Sequence, residues 1–201
     1  MSKSLSIKIV RLTAMLVGLF VLTNCGEEVN PVDSKDVVVD DDYYEFQDFI
    51  MSDYDIPGVI SLPDETANIG ASTRPEVKHE ESFKWEINAG QKFQVLIEDF
   101  GILDDLVKEK KKELADQKFF KIKYLMDETD LVVYERTLMV SGSKYAAPEV
   151  GVEHKSYHVY GQKTINNIIY GLSSPEEGCD KHIVELMAKS IKSFKEFKRK
   201  G

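Results

Sequence analysis

The 201-residue chain has two cysteines, Cys25 and Cys179, and a single tryptophan, Trp85. Two thiols exclude a disulfide framework and a metal centre built on several cysteines. No apolar run is long enough to span a membrane. The longest, Leu12 to Leu22, has about 11 residues, against the ~20 a spanning helix needs. The nucleotide fingerprints GxxxxGK[ST] and GxGxxG are missing, as are HExxH and the GxSxG elbow of serine hydrolases. Positive charge is also short: 26 Lys and Arg stand against 35 Asp and Glu. That balance disfavours nucleic-acid binding, which depends on clustered cations.

What is present begins with the leader. Lys3, Lys8 and Arg11 are its only charges, the apolar run follows them, and polar sequence comes next. This is the pattern of a secretory signal, assigned to residues 1–24. Leu22-Thr23-Asn24-Cys25 resembles the lipobox read by lipoprotein signal peptidase, with Asn24 departing from the usual small residue. The resemblance implies that Cys25 is the lipidation site. Its thiol would carry a diacylglycerol as a thioether, and its freed amine a further fatty acid such as palmitate. Two or three chains anchor stably, at about 0.8 kcal/mol per buried CH₂. The expected partner is therefore the membrane, through Cys25, with an envelope protein as a further partner. Gly26-Glu27-Glu28 resembles the short acidic tag that exports some lipoproteins. It places the protein at the outer membrane on the cell surface, with the periplasmic face as the alternative.

The mature chain carries a formal charge of −12, because the leader removes three of the 26 cations and none of the 35 acids. Glu27 to Asp55 holds eleven acids and one lysine. Residues 25–42 read as a lipidated Cys and an acidic flexible tether, and residues 43–201 as one domain.

Within that domain, Ile56 to Pro63 reads as a short edge strand between turn residues, since proline is tolerated at edges. Phe83 to Ile87 alternates as a half-buried strand, Phe93 to Ile97 reads as a second strand, and the pair suggests a hairpin around Asn88-Ala89-Gly90-Gln91. A helix over 103–117 would bury Ile102, Leu103, Leu106, Val107 and Leu114 and leave Lys108 to Lys112 wet. Strands follow over 119–125 and 131–140, joined by the acidic turn Asp127-Glu128-Thr129-Asp130. A hairpin is expected around Gly161-Gln162-Lys163. Ser174-Pro175-Glu176-Glu177 has the form of a capping box opening a long final helix, its effective start near Asp180 because of Gly178. The stripe of that helix runs from Ile183 through Phe194 to Phe197. The fold class is α+β: a twisted antiparallel sheet covered by two amphipathic helices.

That order resembles the PsbP and DcrB-like fold over roughly residues 56–197. There, a strand such as Ile168-Ile169-Tyr170-Gly171-Leu172 feeds a final helix ending near Ser190-Ile191-Lys192-Ser193-Phe194. The resemblance implies a PsbP-like sandwich and an accessory role, with no shared catalytic residues to carry over.

The chemistry-bearing residues are scattered. His79, His154, His158 and His182 form no helical ligand pair, Asp99 reads as a capping carboxylate, and Cys179 as a small packed residue. No catalytic, cofactor or metal residues are assigned. The leading expectation is a lipid-anchored binding or accessory module. An envelope hydrolase, with a site beside the 141–155 loop using His154 and His158, is the alternative, as is an apolar-ligand carrier between sheet and helix. Replacing Cys25 with Ser should release the protein from washed membranes into the soluble fraction. Mass spectrometry of the wild-type N-terminus should show an acylated Cys25; an unmodified cysteine removes the anchor.

Overall fold

Trp85, Ile87 and Ala89 are buried, while Lys84, Glu86 and Asn88 between them are exposed or half-buried. Alternation of this kind builds a sheet with two different faces, one on the core and one wetter. The computed structural model describes residues 46–70, 74–79, 81–103, 105–140, 144–145 and 154–198. The expected leader, Cys25 and the tether lie outside these residues, as does most of the 141–155 loop.

Thirteen named elements position the site. They are β1 (Phe46–Ile50), β2 (Gly58–Pro63), β3 (Glu76–Lys78), β4 (Lys84–Ala89), β5 (Phe93–Asp99), α1 (Leu106–Ala115), β6 (Phe120–Asp127) and β7 (Leu131–Val140). They continue with β8 (Lys144–Tyr145), β9 (Lys155–Ile165), β10 (Ile168–Ser173), α2 (Lys181–Ser193) and β11 (Lys195–Glu196). The larger sheet has the order β3-β4-β5-β10-β9-β7-β6, with β8 on β7, and a small sheet has the order β1-β2-β11. Every pairing between named strands is antiparallel. The chain is therefore α+β, with mainly antiparallel sheets and two helices.

The helices lie on opposite faces of the larger sheet. α2 buries Ile183, Val184, Leu186, Met187, Ala188 and Ile191. They join one core with Trp85, Val95, Leu131, Val133, Val159 and Leu172 of the larger sheet and with Ile60 and Leu62 of the small one. A helix buried this broadly needs cover on more than one side, and the two sheets supply it. α1 buries Val107 and Leu114 against Val132 and Tyr134, with Ile122 and Tyr160 at the margin. Successive β7 residues thus serve different helices, as a pleat requires.

The structure corrects several sequence expectations. β2 is the central strand of the small sheet rather than an edge. Its prolines bracket it: Pro57 precedes the strand and Pro63 ends it, so the ladder between them keeps its N–H donors. The hairpin expected at Gly161 turns instead at Asn166 and Asn167, both at positive φ (51° and 65°), between the paired Ile165 and Ile168. Two left-handed residues make the turn whose twist suits a two-residue hairpin. β9 runs straight through Gly161, whose missing side chain serves packing. A Cβ there would sit 2.8 Å from Ile191 Cγ2 and 2.9 Å from Leu131 Cδ1.

α2 is also shorter than its stripe. Ser174 does not cap it; its Oγ accepts from the Val159 N–H at 3.2 Å. The chain then pairs with β9 through mutual backbone bonds between Tyr157 and Cys179. Gly178, at φ 79°, leads into that bridge, and the helix begins only after Asp180. At the other end Phe194 is already extended, and packs edge-on against Tyr170 at 5.9 Å. α1 is shortened at its start by left-handed Gly101 and Asp105, which leave Ile102 and Leu103 exposed rather than buried. Its first turn is capped from the sheet, by Gln162 Oε1 accepting from the Val107 N–H at 3.1 Å. Asp99 caps the preceding turn instead, accepting from the Gly101 N–H at 2.7 Å.

Gly161→Ala tests the contact between α2 and the sheet. The added methyl should cost about 1–3 kcal/mol through overpacking, measured by urea unfolding. A change near zero would mean that α2 can shift away from β9.

Candidate functional site

The wetter face of the larger sheet carries Val132, Tyr134 and Arg136 on β7, then His158, Tyr160 and Gln162 on β9. α1 lies across part of this face and leaves a cleft beside it. The cleft has a volume of about 370 Å³ and is walled by Lys110, Glu113 and Leu114 of α1 and by Gln117 just beyond its end. Phe120, Tyr134, Arg136, His158, Tyr160 and the Ser174–Glu176 turn complete it. A second depression of about 410 Å³ continues across β4, β5 and β10, and shares Leu96, Tyr160 and Ser173 with the first. Its walls include Lys78, Lys84, Glu86, Glu98 and Phe100. Gly171 keeps this floor low, since a Cβ there would lie 2.7 Å from Phe100 Cε2 and 3.2 Å from Tyr160 Oη.

The charges of the cleft are unequally matched. Lys110 pairs with Glu113 at 2.8 Å and lies 5.7 Å from the centre of the Tyr160 ring. Arg136 donates from Nη2 to the Glu176 carbonyl at 2.9 Å and stacks over Phe120, 4.6 Å from its centre. Its Nε is buried and has no acceptor among the described residues. Burial pushes the Tyr134 phenol up to about 12 and also raises that of Tyr160, so both rings remain neutral at ordinary pH.

His158 is 3% exposed. Its ring stacks on Tyr134 at 5.1 Å, and its Nε2 lies 2.8 Å from Ser156 Oγ. Gly178 covers it so closely that a Cβ would come within 2.6 Å of the imidazole. Burial, then the charges of Arg136 and Lys110, hold the imidazole down to about 4, with the Pro175 carbonyl opposing. The Ser–His contact has the spacing of a nucleophile and its base. Yet both groups are buried, and an imidazole at about 4 is a weak base at neutral pH.

The structure separates the residues singled out by sequence. His154 borders a shallow depression with Cys179, apart from the cleft that His158 lines. His79 stacks on Trp85 at 4.7 Å, and His182 Nε2 lies 3.4 Å from the Ala67 carbonyl. Cys179 is a free, half-buried thiol pushed up to about 12 by burial and then by Asp180 and Glu177. Such a thiol is a poor nucleophile. The acids of the β6–β7 turn are engaged by lysines from three elements: Lys111 with Asp127, Lys192 with Glu128 and Lys163 with Asp130. Among the described residues, no group of three or more His, Cys, Asp and Glu could hold a metal ion. Lys110, Glu113, Phe120, Tyr134 and Arg136 were not singled out by sequence as a group. The signal available was the alternation in β7, which puts an aromatic and a cation on the face opposite Leu131 and Val133.

Comparison with known proteins finds no matching family model, and no curated protein or solved structure that matches significantly.

The buried imidazole makes a pH prediction. Above pH 6.5 folded and unfolded chains both carry it neutral, and its stabilising packing is fully present. As pH falls toward 4 the unfolded chain binds a proton that the folded one refuses, and about 3 kcal/mol is lost. His158→Gln should shrink the difference between urea midpoints at pH 7 and pH 4.5. An undiminished difference would show that His158 titrates normally.

Proposed function

We propose that this protein is a non-enzymatic, lipid-anchored binding module of the outer membrane, and that the cleft beside α1 is its ligand site. One observation carries the reading: polar and aromatic side chains from α1, β6, β7, β9 and the Ser174–Glu176 turn converge on a concave space of about 370 Å³. Small-molecule sites have this size and this mixture of apolar walls with few oriented polar groups. The anchor rests on the leader and Cys25. The PsbP-like assignment belongs to the same proposal. It is supported by the order of strands, mid-chain helix and terminal helix, and by Ile168 to Ser173 feeding α2 through a short connection.

A hydrolase is the second reading, favoured by the Ser156–His158 contact. The two readings separate experimentally. Mature protein incubated with envelope lipid extract should retain a small molecule in native mass spectrometry. Gln117→Trp, which adds an indole to the cleft wall just beyond α1, should lose it. Ester turnover that disappears in Ser156→Ala, without a retained ligand, would replace the binding reading with the hydrolase.

A further inference from the structure

The uncompensated charge in the cleft points to the class of ligand. We infer that the cleft selects amphiphiles bearing one carboxylate, with the Arg136 guanidinium receiving the head group and the aromatic walls receiving the tail. This rests on the cleft being the ligand site. Two cations line it, and they differ. Lys110 is answered by Glu113 on the next turn of α1. Arg136 has no carboxylate partner among the described residues; it has one backbone acceptor, a ring under its plane, and a buried Nε without an acceptor.

A guanidinium cannot shed its proton to escape this position. Its planar fork matches a carboxylate and pairs more strongly where water is thinned. The other groups facing it do not supply that charge. His158 is held neutral by burial, and Tyr134 and Tyr160 remain phenols. The Glu176 side chain is exposed, and its residue offers Arg136 the main-chain carbonyl. The walls suit an apolar body: Leu96, Leu114, Phe120 and Tyr160 face the space.

The test compares octanoate with octanol, which share a tail and differ in head group, by titration calorimetry on the mature protein. Wild type should bind octanoate at least about tenfold more tightly, the worth of a charge-assisted hydrogen bond. Arg136→Met should bring the two affinities together while octanol binding survives, which shows that the cleft is still formed. Arg136→Lys, which keeps the charge and loses the fork, should fall between. Equal affinities in wild type would overturn the carboxylate inference alone. Binding of neither compound would overturn the ligand site itself. A preference for octanoate that persists in Arg136→Met would place the head group elsewhere.

Discussion

The close approach of α2 to β9 is the contact on which the rest of the architecture depends. Gly161 permits it, because any side chain there would meet Ile191 and Leu131. With α2 seated so low, its remaining apolar residues face away from the larger sheet and need separate cover. β1, β2 and β11 provide that cover. β11 belongs to the chain just after α2, so the helix carries part of its own lid: Phe194 turns extended and the next two residues pair with Val59 and Gly58. Gly58 shows the same economy of space, since a Cβ there would lie 2.7 Å from the Phe194 ring. The small sheet is thus a consequence of burying one helix deeply.

The opposite face is governed by a shortage of cover. Strands lie about 4.8 Å apart, so the path from β3 to β6 is roughly 30 Å across. One helix with its side chains spans about 10 Å. α1 can shield Val132 and Tyr134, but not the outer residues of β4, β5 and β10 as well. The sequence meets this by making those residues polar, as with Lys84, Glu86 and Glu98, or by removing the side chain, as at Gly171. Where the helix edge ends, the face is neither dry core nor flat surface, and Tyr160 stands at that boundary with an alkyl-ammonium stem above it. The cleft follows from the mismatch between sheet width and helix number.

Much of this was legible in the sequence where a single physical rule acted alone. Period-two alternation identified β4, a turn and a second apolar run identified β5, β-branched content identified β7, short turns the antiparallel class, and the apolar stripe α2. The failures arose where two rules competed. Glycine can mean a turn or a close approach, and at Gly161 it means approach, while the turn uses Asn166-Asn167. Ser174-Pro175-Glu176-Glu177 satisfies a capping pattern, but Val159 offers Ser174 an N–H from a distant strand. Ile102 and Leu103 fit the helical period, yet left-handed residues on either side take them off the helix. The cleft was harder still. Its residues come from six elements and a turn, and no local spacing encodes their meeting.

The charge state of the cleft follows from the same burial. Three potential cations lie near one another: Lys110, Arg136 and His158. Holding all three charged at close quarters, one of them buried, would be costly. Each is handled by a different chemistry. Lys110 keeps its charge beside Glu113. His158 gives up its charge, made cheap by an imidazole that titrates near neutrality even when free. Arg136 can do neither by deprotonation, and it stacks on Phe120 with a main-chain carbonyl as its acceptor. Neutral His158 therefore reads better as the consequence of its burial, reinforced by the neighbouring cations, than as a base awaiting a substrate. The Ser156 contact then satisfies a buried polar pair, leaving Arg136 as the cation of this face without a carboxylate partner among the described residues.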